Sequence, residues 1–260
     1  MSVFDIPLRD RMTPPLYTVS PDAKLPQIEY MLEDLDVSGI AVVDAEFRPL
    51  GVITRTDLLH AGAVPTVSLG RHGHLELPDR RVGDTLAGAP STIDVGQSME
   101  AAVEKLQKER IHRLLVVEQG RLVGVLSTWD VMATVAEARL KQPLGTLMSA
   151  SVVTLSPEAN TASAIERLQN AHVHGLVVVE RGWPIGVFGQ EEALAAERWP
   201  QESKVDQWFS PAVLSMPASM PVHRAAAQAV ATRTRHLVVM ELDGIGGIVT
   251  TSDFLHVERN

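Results

Sequence analysis

"GVLSTWD" (residues 124–130) has two close copies elsewhere in the chain, "GVITRTD" (51–57) and "GIVTTSD" (247–253). Each copy contains a glycine, two aliphatic residues, a hydroxyl residue, two variable positions and an aspartate. A fourth segment in the same register, "GVFGQEE" (186–192), keeps the glycine but replaces the hydroxyl residue and the aspartate. A motif that recurs at regular intervals along a chain indicates a repeat architecture. These seven residues therefore mark four copies of one structural unit.

The residues around each copy predict the same elements in the same order. A short run rich in Val, Ile and Leu precedes each glycine, and turn residues connect the two, which is typical of a β-hairpin. These runs are "SGIAVVD" from 38, "HRLLVVE" from 112, "HGLVVVE" from 174 and "RHLVVME" from 235. An amphipathic helical pattern precedes each run, and a short helix follows each motif. The sequence therefore predicts an α+β fold made of four β-α-β-β-α repeats.

The repeats are expected to pair, because each one is too small to bury its own apolar face. We place them at about 8–60, 82–140, 144–197 and 205–257. The interval between the motifs of repeats 1 and 2 is longer than the other two intervals, and it leaves 61–81 as a linker. Repeats 1 and 2 are then expected to form one module (1–141). Repeats 3 and 4 form the second module (142–260).

Composition restricts the function classes. The net charge is −9, so there is no basic surplus to neutralise nucleic-acid phosphates. Cysteine is absent, which excludes disulfides, thiolate metal sites and a cysteine nucleophile. No apolar run approaches the ~20 residues of a membrane span, and the first residues lack the pattern of a signal peptide. We expect a cytoplasmic protein without nucleic-acid or membrane partners.

The recurring motif has two interpretations. A hydroxyl residue followed three positions later by an acid, just before a helix, is a capping box. The same geometry suits a ligand, since a helix start attracts anions and a carboxylate can accept hydrogen bonds from a ribose diol. The hydroxyl residues concerned are Thr54, Ser127 and Thr250, and the acids are Asp57, Asp130 and Asp253.

The repeat unit and its final Gly-aliphatic-aliphatic-Ser/Thr-x-x-Asp motif resemble the cystathionine β-synthase-type (CBS) domain. Four copies resemble two tandem CBS pairs, called Bateman modules, over about Leu8 to Val257. "RMTPPLYTVSPD" (11–22) looks like the Met-Thr-Pro start of such a repeat. "IHRLLVV" (111–117) is similar to the His-Arg segment of nucleotide-sensing members such as the γ subunit of AMP-activated kinase.

The resemblance implies a regulatory module that binds an adenosine compound in clefts between paired repeats and has no catalytic activity. It implies AMP, ADP or ATP as the ligand, with or without Mg²⁺, and requires no cofactor. The aspartates Asp57, Asp130 and Asp253 would bind the ribose, and Thr54, Ser127 and Thr250 would supply hydroxyls. The adenine would lie near Val19, Ile40, Ile93 and Leu114.

Cations at the starts of the second strands are the candidate phosphate ligands. Repeat 2 has His112 and Arg113 there, and repeat 4 has Arg235 and His236. Arginine suits bidentate phosphate contacts, and histidine responds to pH. Ordinary solvated strand ends are the alternative interpretation of these residues.

Three other functions remain open from the sequence. One alternative is a ligand-free interaction module, and another is an S-adenosylmethionine binder. The weakest alternative is an enzyme that uses His112 or His236 as a base. The histidine pairs His72/His74 and His172/His174 lack an adjacent third ligand, so no metal site is expected. An unidentified protein partner is expected, and the helices "AAVEKLQKERI" and "ASAIERLQNAHV" are candidates for contacts between modules, including a homodimer.

Repeat 3 is expected to differ from the others. Gly189 supplies no side-chain oxygen, and Glu192 carries an additional methylene that would move its carboxylate away from the position of the aspartates. The sequence therefore predicts that the site on repeat 3 is empty or binds differently, which leaves at most three sites of this type.

Overall fold

A computed structural model describes residues 2–15, 17–62, 77–171, 173–195 and 203–258. Each repeat has a short strand, a helix and a β-hairpin, followed by a second helical segment. Repeat 1 has β1 (Thr18–Val19), α1 (Leu25–Asp34), β2 (Gly39–Val43), β3 (Pro49–Thr54) and α2 (Arg55–Ala61). Repeat 2 has β4 (Thr92–Asp94), α3 (Met99–Glu109), β5 (Arg113–Glu118), β6 (Arg121–Ser127) and α4 (Thr128–Glu137).

Repeats 3 and 4 follow the same order. Repeat 3 has β7 (Thr154–Leu155), α5 (Thr161–Ala171), β8 (Gly175–Glu180), β9 (Trp183–Gly189) and α6 (Gln190–Ala195). Repeat 4 has β10 (Leu214–Pro217), α7 (Val222–Ala231), β11 (His236–Glu241) and β12 (Gly244–Thr250), and it ends in the 3-10 helix Asp253–His256. The predicted α+β class and the four repeats are confirmed, although a 3-10 helix stands where a final α-helix was expected.

Each repeat forms its own three-stranded sheet. The first strand runs parallel to the second, and the second pairs antiparallel with the third. The parallel pairing needs a crossover, which the first helix of the repeat provides. Every hairpin has a register shift near its turn, for example between Val116 and Val117. The four sheets thus have the same strand order and the same strand directions.

The segment ahead of the first strand of each repeat packs on the other member of its pair. Ahead of β1, Phe4 and Leu8 join the core of repeat 2, and Thr13 pairs with Val125. Ahead of β4, Val82 lies in the core of repeat 1. The second pair repeats this exchange, since Ser149 pairs with Ile248 of repeat 4 and Ser210 with Val187 of repeat 3. Residues 77–81 of the expected linker therefore belong to packed structure.

The exchanged segments explain the invariant glycine of the motif. A Cβ atom on Gly186 would lie 2.2 Å from a ring carbon of Phe209 and 2.4 Å from the Ser210 carbonyl oxygen. A Cβ atom on Gly247 would lie 2.7 Å from the Ser149 carbonyl oxygen. All three distances are shorter than non-bonded contacts permit. The glycine is required because the leading segment of the partner repeat crosses the strand there.

Two large cores join the modules. Buried side chains of repeats 1 and 3 form one core, and those of repeats 2 and 4 form the other. Helix α4 packs on α7, and α2 packs on α6. A smaller cluster, Ala41, Val43, Leu115 and Leu122, lies between the sheets of repeats 1 and 2. Each repeat therefore packs on its module partner through the sheet and on the other module through helices.

The helices expected to mediate module contacts do so within this chain. The Gln107 amide of α3 donates to the Leu255 carbonyl oxygen at 2.7 Å, and the Gln169 amide of α5 donates to the Leu59 carbonyl oxygen at 2.8 Å. Both contacts join the two modules of one chain. A homodimer through these helices stays a prediction.

Candidate functional site

The three motif aspartates adopt the same geometry. One carboxylate oxygen, Oδ2, accepts both the backbone N–H and the hydroxyl of the residue three positions earlier. The two distances are 2.8 and 2.6 Å from Thr54 to Asp57, 2.7 and 2.7 Å from Ser127 to Asp130, and 2.6 and 2.9 Å from Thr250 to Asp253. The capping interpretation is thus correct as a local hydrogen-bond pattern, in which Thr54 and Ser127 begin α-helices and Thr250 precedes a 3-10 helix that starts at Asp253 itself. It uses only Oδ2, so it does not compete with a ligand at Oδ1.

Asp130 shows what surrounds the second carboxylate oxygen. The hydroxyl of Thr13, from the leading segment of repeat 1, lies 3.5 Å from Asp130 Oδ1. Burial raises the pKa of Asp130, and the bonds from Ser127 oppose that shift. The carboxylate therefore faces a junction between two repeats, where a ligand would contact both.

Repeat 3 reaches the same cap with different residues. Glu192 Oε2 accepts the Gly189 N–H at 2.8 Å, so the expectation that its carboxylate is displaced from the helix start is wrong. The physical reason is that a Cβ atom at Gly189 would lie only 3.3 Å from this oxygen. The longer side chain uses the space that the missing hydroxymethyl group leaves. That this site is empty or binds a ligand differently stays a prediction.

The residues at the starts of the second strands meet in the middle of the molecule. We define the central crevice as Ser38, His112, Arg113, His174, Arg235 and His236. The glycines at the matching positions of repeats 1 and 3 make room for the cations of repeats 2 and 4. A Cβ atom on Gly39 would lie 2.7 Å from Arg113 Nη1, and one on Gly175 would lie 2.9 Å from His236 Nε2.

Diagonally opposite repeats also meet in the central crevice. Arg235 of repeat 4 donates to the Ser38 hydroxyl of repeat 1 at 3.0 Å, and Arg113 of repeat 2 donates to the same oxygen. The rings of His112 and His174, from repeats 2 and 3, pack edge to face with centroids 4.8 Å apart. One hydroxyl and one ring pair thus connect the two modules across the centre.

The two variable positions of the motif hold the repeats together around this centre. Arg55 pairs with Glu191 at 3.2 Å, and Gln190 donates to Thr56 at 2.8 Å. In the other half, the Thr128 and Thr251 hydroxyls are 2.9 Å apart, and Ser252 Oγ is 2.8 Å from His112 Nδ1. Arg235 also lies over the Trp129 ring, 5.9 Å from its centroid. No sequence pattern identifies these partners, since only the packing of the modules brings them together.

The electrostatics of the crevice are those of an anion site. Neither Arg113 nor Arg235 forms an ion pair with a carboxylate in the described part of the chain. Burial lowers the pKa of Arg113 to about 10, and the nearby Arg235 and Arg55 act in the same direction. The carboxylates of Asp57 and Asp130 oppose this shift without offsetting it. Burial likewise lowers the pKa of Arg235, with Arg55 as the next cause. A cation desolvated without a partner is destabilising unless an anion compensates it.

The histidines of the crevice are held in the neutral form. Burial, followed by the neighbouring His112, Arg113 and Arg235, lowers the pKa of His174 to about 4. Burial, then His174 and Arg235, does the same for His236. Burial and Arg113 lower the pKa of His112. His112 and His174 remain accessible to solvent, so they line an open concavity and are not sealed in a core.

The adenine residues inferred from the resemblance require a correction. Val19 and Ile40 lie in the core of repeats 1 and 3, and Ile93 and Leu114 lie in the core of repeats 2 and 4. All four side chains therefore point toward helices and are unavailable to a ligand between the sheets. The alternating side chains, such as Ala41 and Leu115, face the inter-sheet side. Both faces of these strands are apolar, so the pattern did not distinguish them.

Other sequence candidates contribute less. His72, His74 and His172 lie outside the described residues. His174, which the sequence paired with His172, belongs to the central crevice. Within the described ranges, no group of three or more histidine or acidic side chains is arranged to hold a metal ion. None of the helices described here is both long and apolar enough to cross a bilayer.

The fold and the site define a class of protein: a four-repeat α+β assembly whose motif helices and strand starts surround a cationic centre. The family model for the CBS domain matches residues 3–64, 84–137 and 144–198. The chain therefore belongs to the CBS domain family, and the structure supplies the fourth copy at the C-terminal end.

Solved structures share the whole arrangement. Protein MJ1225 from Methanocaldococcus jannaschii, which has been proposed as an archaeal homolog of g-AMPK, aligns with a TM-score of 0.80 over 96% of this chain and 99% of its own. An uncharacterized conserved protein from Pyrococcus horikoshii aligns with a TM-score of 0.65, over 95% and 97%. Identities are 13% and 17%, so these similarities show the fold alone.

Sequence relatives match through parts of their length. Inosine-5'-monophosphate dehydrogenase from Nitrosopumilus maritimus is 28% identical over 116 residues, 44% of this chain and 21% of that enzyme. The CBS domain-containing protein YhcV from Bacillus subtilis is 27% identical over 124 residues, 48% of this chain and 81% of YhcV. The match to the dehydrogenase covers about a fifth of its length, and no enzyme domain is shown for this chain.

Proposed function

We propose that this protein is a non-catalytic regulatory module that binds adenine nucleotides between its paired repeats, with the phosphates in the central crevice. The observation that best supports this proposal is the environment of Arg113. Its guanidinium is desolvated in the middle of an acidic protein, and among the described residues its hydrogen-bond partner is one serine hydroxyl, that of Ser38. Phosphate is the natural complement, since it accepts several charge-assisted hydrogen bonds from arginine at once.

The motif aspartates suit the other end of such a ligand. Each one is fixed by its cap through Oδ2, so the remaining oxygen is held in place to accept a ribose hydroxyl. Pre-organisation of this kind reduces the entropy lost on binding. A nucleotide with its ribose at Asp130 and its phosphate toward Arg113 would contact residues of both repeats in the module.

The charge of the crevice separates this proposal from its alternatives. S-adenosylmethionine carries a cationic sulfonium and no phosphate, so two arginines without ion pairs disfavour it. A purely structural module would have no need for a desolvated arginine such as Arg113 that forms no ion pair in the described residues, since such a cation costs stability. The proposal therefore favours phosphate-bearing adenosine compounds over both.

Occupancy would be signalled through the diagonal contacts. Ser38 accepts hydrogen bonds from an arginine of its own module and from one of the other module. A phosphate that takes over these donors would change the link between modules. Such a ligand shifts the equilibrium between module arrangements by its differential affinity for them, and we propose that a partner protein reads this change in the cytoplasm.

A binding panel tests the proposal. Isothermal titration and thermal shift are measured with AMP, ADP, ATP, adenosine and S-adenosylmethionine, with and without Mg²⁺. At a hundredfold excess over Kd a phosphate-bearing member should stabilise the fold by ~2.7 kcal/mol per site. Adenosine and S-adenosylmethionine should bind at least tenfold more weakly.

Paired variants localise the effect. Arg113→Gln should weaken nucleotide binding and leave adenosine binding unchanged. The matched control is Arg121→Gln, because Arg121 lies at the far end of β6 and donates to the Glu46 carbonyl oxygen. Absence of binding by the whole panel at millimolar concentration, or equal losses in both variants, would refute the proposal.

A further inference from the structure

Three histidines and two arginines share the central crevice, and their environment is unusual for histidine. His112 packs edge-on against His174, its Nδ1 is paired with the Ser252 hydroxyl, and His236 lies directly over Gly175. No hydrogen bond or ion pair joins these three histidines to a carboxylate in the described residues. The cluster therefore holds five groups that are or can become cationic, at a position where phosphate is proposed to bind.

Charged groups on several helices and strands surround the histidine cluster. The charged groups that face it are Arg113 on β5, Arg235 ahead of β11, Arg55 on α2 paired with Glu191 of α6, Asp36 paired with Arg233, and the capped Asp57 and Asp130. His60 of α2 lines a cavity of about 80 Å³ together with His174. Each carboxylate in this set is already engaged by an arginine or by a helix cap. The charges that lower the pKa values of the three histidines are those of Arg113, Arg235 and the neighbouring histidines.

We propose that anion binding in the central crevice is coupled to proton uptake by His112, His174 and His236, so that the protein binds a phosphate-bearing ligand more tightly as the pH falls. This inference rests on the proposed function and adds regulation of the same site. The geometry carries it, because a bound dianion would replace repulsion between neighbouring cations by attraction to each of them.

The direction follows from linkage. Without ligand, burial and cationic neighbours hold the pKa values of His174 and His236 at about 4, so both rings are neutral near pH 7. A dianion between the rings raises these values, and the complex then binds more protons than the free protein. Affinity increases as pH falls through the histidine pKa of the complex, and it levels off near pH 4. If the complex has the ordinary histidine pKa of ~6.5, one histidine strengthens binding about tenfold between pH 7.5 and 5.5.

Sulfate is the first probe, because its charge stays constant over this pH range whereas the second ionisation of a phosphate falls near pH 6. Its Kd is measured by thermal shift on the whole chain from pH 7.5 to 5.5, with chloride at matched ionic strength as the reference. The expected result is a Kd that decreases at least tenfold. A Kd that is constant or increases toward pH 5.5 would overturn the proposal.

Nucleotide and histidine variants give independent readouts. AMP is titrated calorimetrically at pH 6.5 in two buffers of different ionisation enthalpy, and the difference gives the protons taken up. His174→Asn and His236→Asn should each reduce this uptake, whereas His256→Asn, at an exposed position bonded to Gln107, should not. Equal uptake in all three variants contradicts the inference.

NMR titration of the histidine rings keeps the test valid if a variant fails to fold. In the unaltered protein, the resonances of His174 and His236 should titrate near pH 4 without ligand and above pH 6 with AMP. AMP binding without any change in these pKa values would refute proton coupling and leave the proposed function standing. A failure of AMP to bind, with the sulfate dependence intact, would refute the nucleotide and retain the coupled anion site.

Discussion

Replacing Ser38 by aspartate tests whether the centre of the molecule is built for an anion. The Ser38 hydroxyl accepts from Arg235 at 3.0 Å and from Arg113, and neither arginine forms an ion pair within the described residues. Ser38→Asp places a permanent carboxylate between them. We expect the ligand-free protein to become more stable and its affinity for nucleotide to fall.

The magnitude follows from the geometry. A hydrogen bond to a charged group contributes ~1.5–3 kcal/mol, and solvent access at Arg235 reduces the gain, so we expect about 1–2 kcal/mol. For a chain of this length, 1 kcal/mol corresponds to a change in Tm of roughly 2–4 °C. The carboxylate competes with a phosphate for the same donors, and nucleotide affinity should therefore fall by at least about tenfold.

The control is Ser38→Asn, which has the shape of aspartate without its charge. Thermal unfolding and calorimetric titration are compared for the unaltered protein and both variants. The expected order of stability is Asp above Asn, with weaker nucleotide binding in the Asp variant. If Ser38→Asp is no more stable than Ser38→Asn and binds nucleotide normally, the arginines do not form an anion site.

Three further predictions concern the motif, and a fourth concerns pH. Asp130→Asn should weaken nucleotide binding by one to two orders of magnitude in calorimetry and cost only ~1 kcal/mol in stability; a loss of stability with unchanged affinity would support a capping role alone. Gly186→Ala should destabilise by ~1–3 kcal/mol in urea unfolding, since its Cβ would lie 2.2 Å from Phe209, and an unchanged midpoint would contradict this. Calorimetry at saturation should find at most three nucleotides, and Gly189→Ser combined with Glu192→Asp should restore the fourth site; four sites in the unaltered protein would refute the motif reasoning. Without ligand, stability measured by urea unfolding should decrease from pH 6.5 toward pH 4, because the unfolded chain protonates its histidines while His174 and His236 stay neutral in the fold with pKa values of about 4; a flat profile would show that the pKa values of those rings are not lowered in the fold.

Local features were predictable because they depend on neighbours in the chain. The helical periodicities, the hairpin turns and the hydroxyl–aspartate spacing identified the elements and the caps at Thr54, Ser127 and Thr250. The cap at Glu192 was not predicted, because it depends on the space next to Gly189. Spacing along the chain gives the reach of a side chain, and it does not give the empty volume beside it.

The choice of strand face could not be made from the sequence. Strand β5 has apolar residues on both faces, so Leu114 and Leu115 were equally suitable for the inter-sheet side. Helix packing buries Leu114 in the core and leaves Leu115 between the sheets. A shift of one residue exchanges the faces of a strand, which is why the adenine residues were misplaced.

The sequence by itself determined the four repeats, their α+β order and the membership of the aspartates in helix caps, because each of these is a local pattern repeated in register. Only the tertiary structure decided why the motif glycine is needed and which residues form the centre. Leading segments of partner repeats cross at that glycine, and Ser38, Arg113 and Arg235 come from three different repeats. Contacts between residues that are nearly 200 positions apart depend on how two modules pack, and no local spacing records that packing.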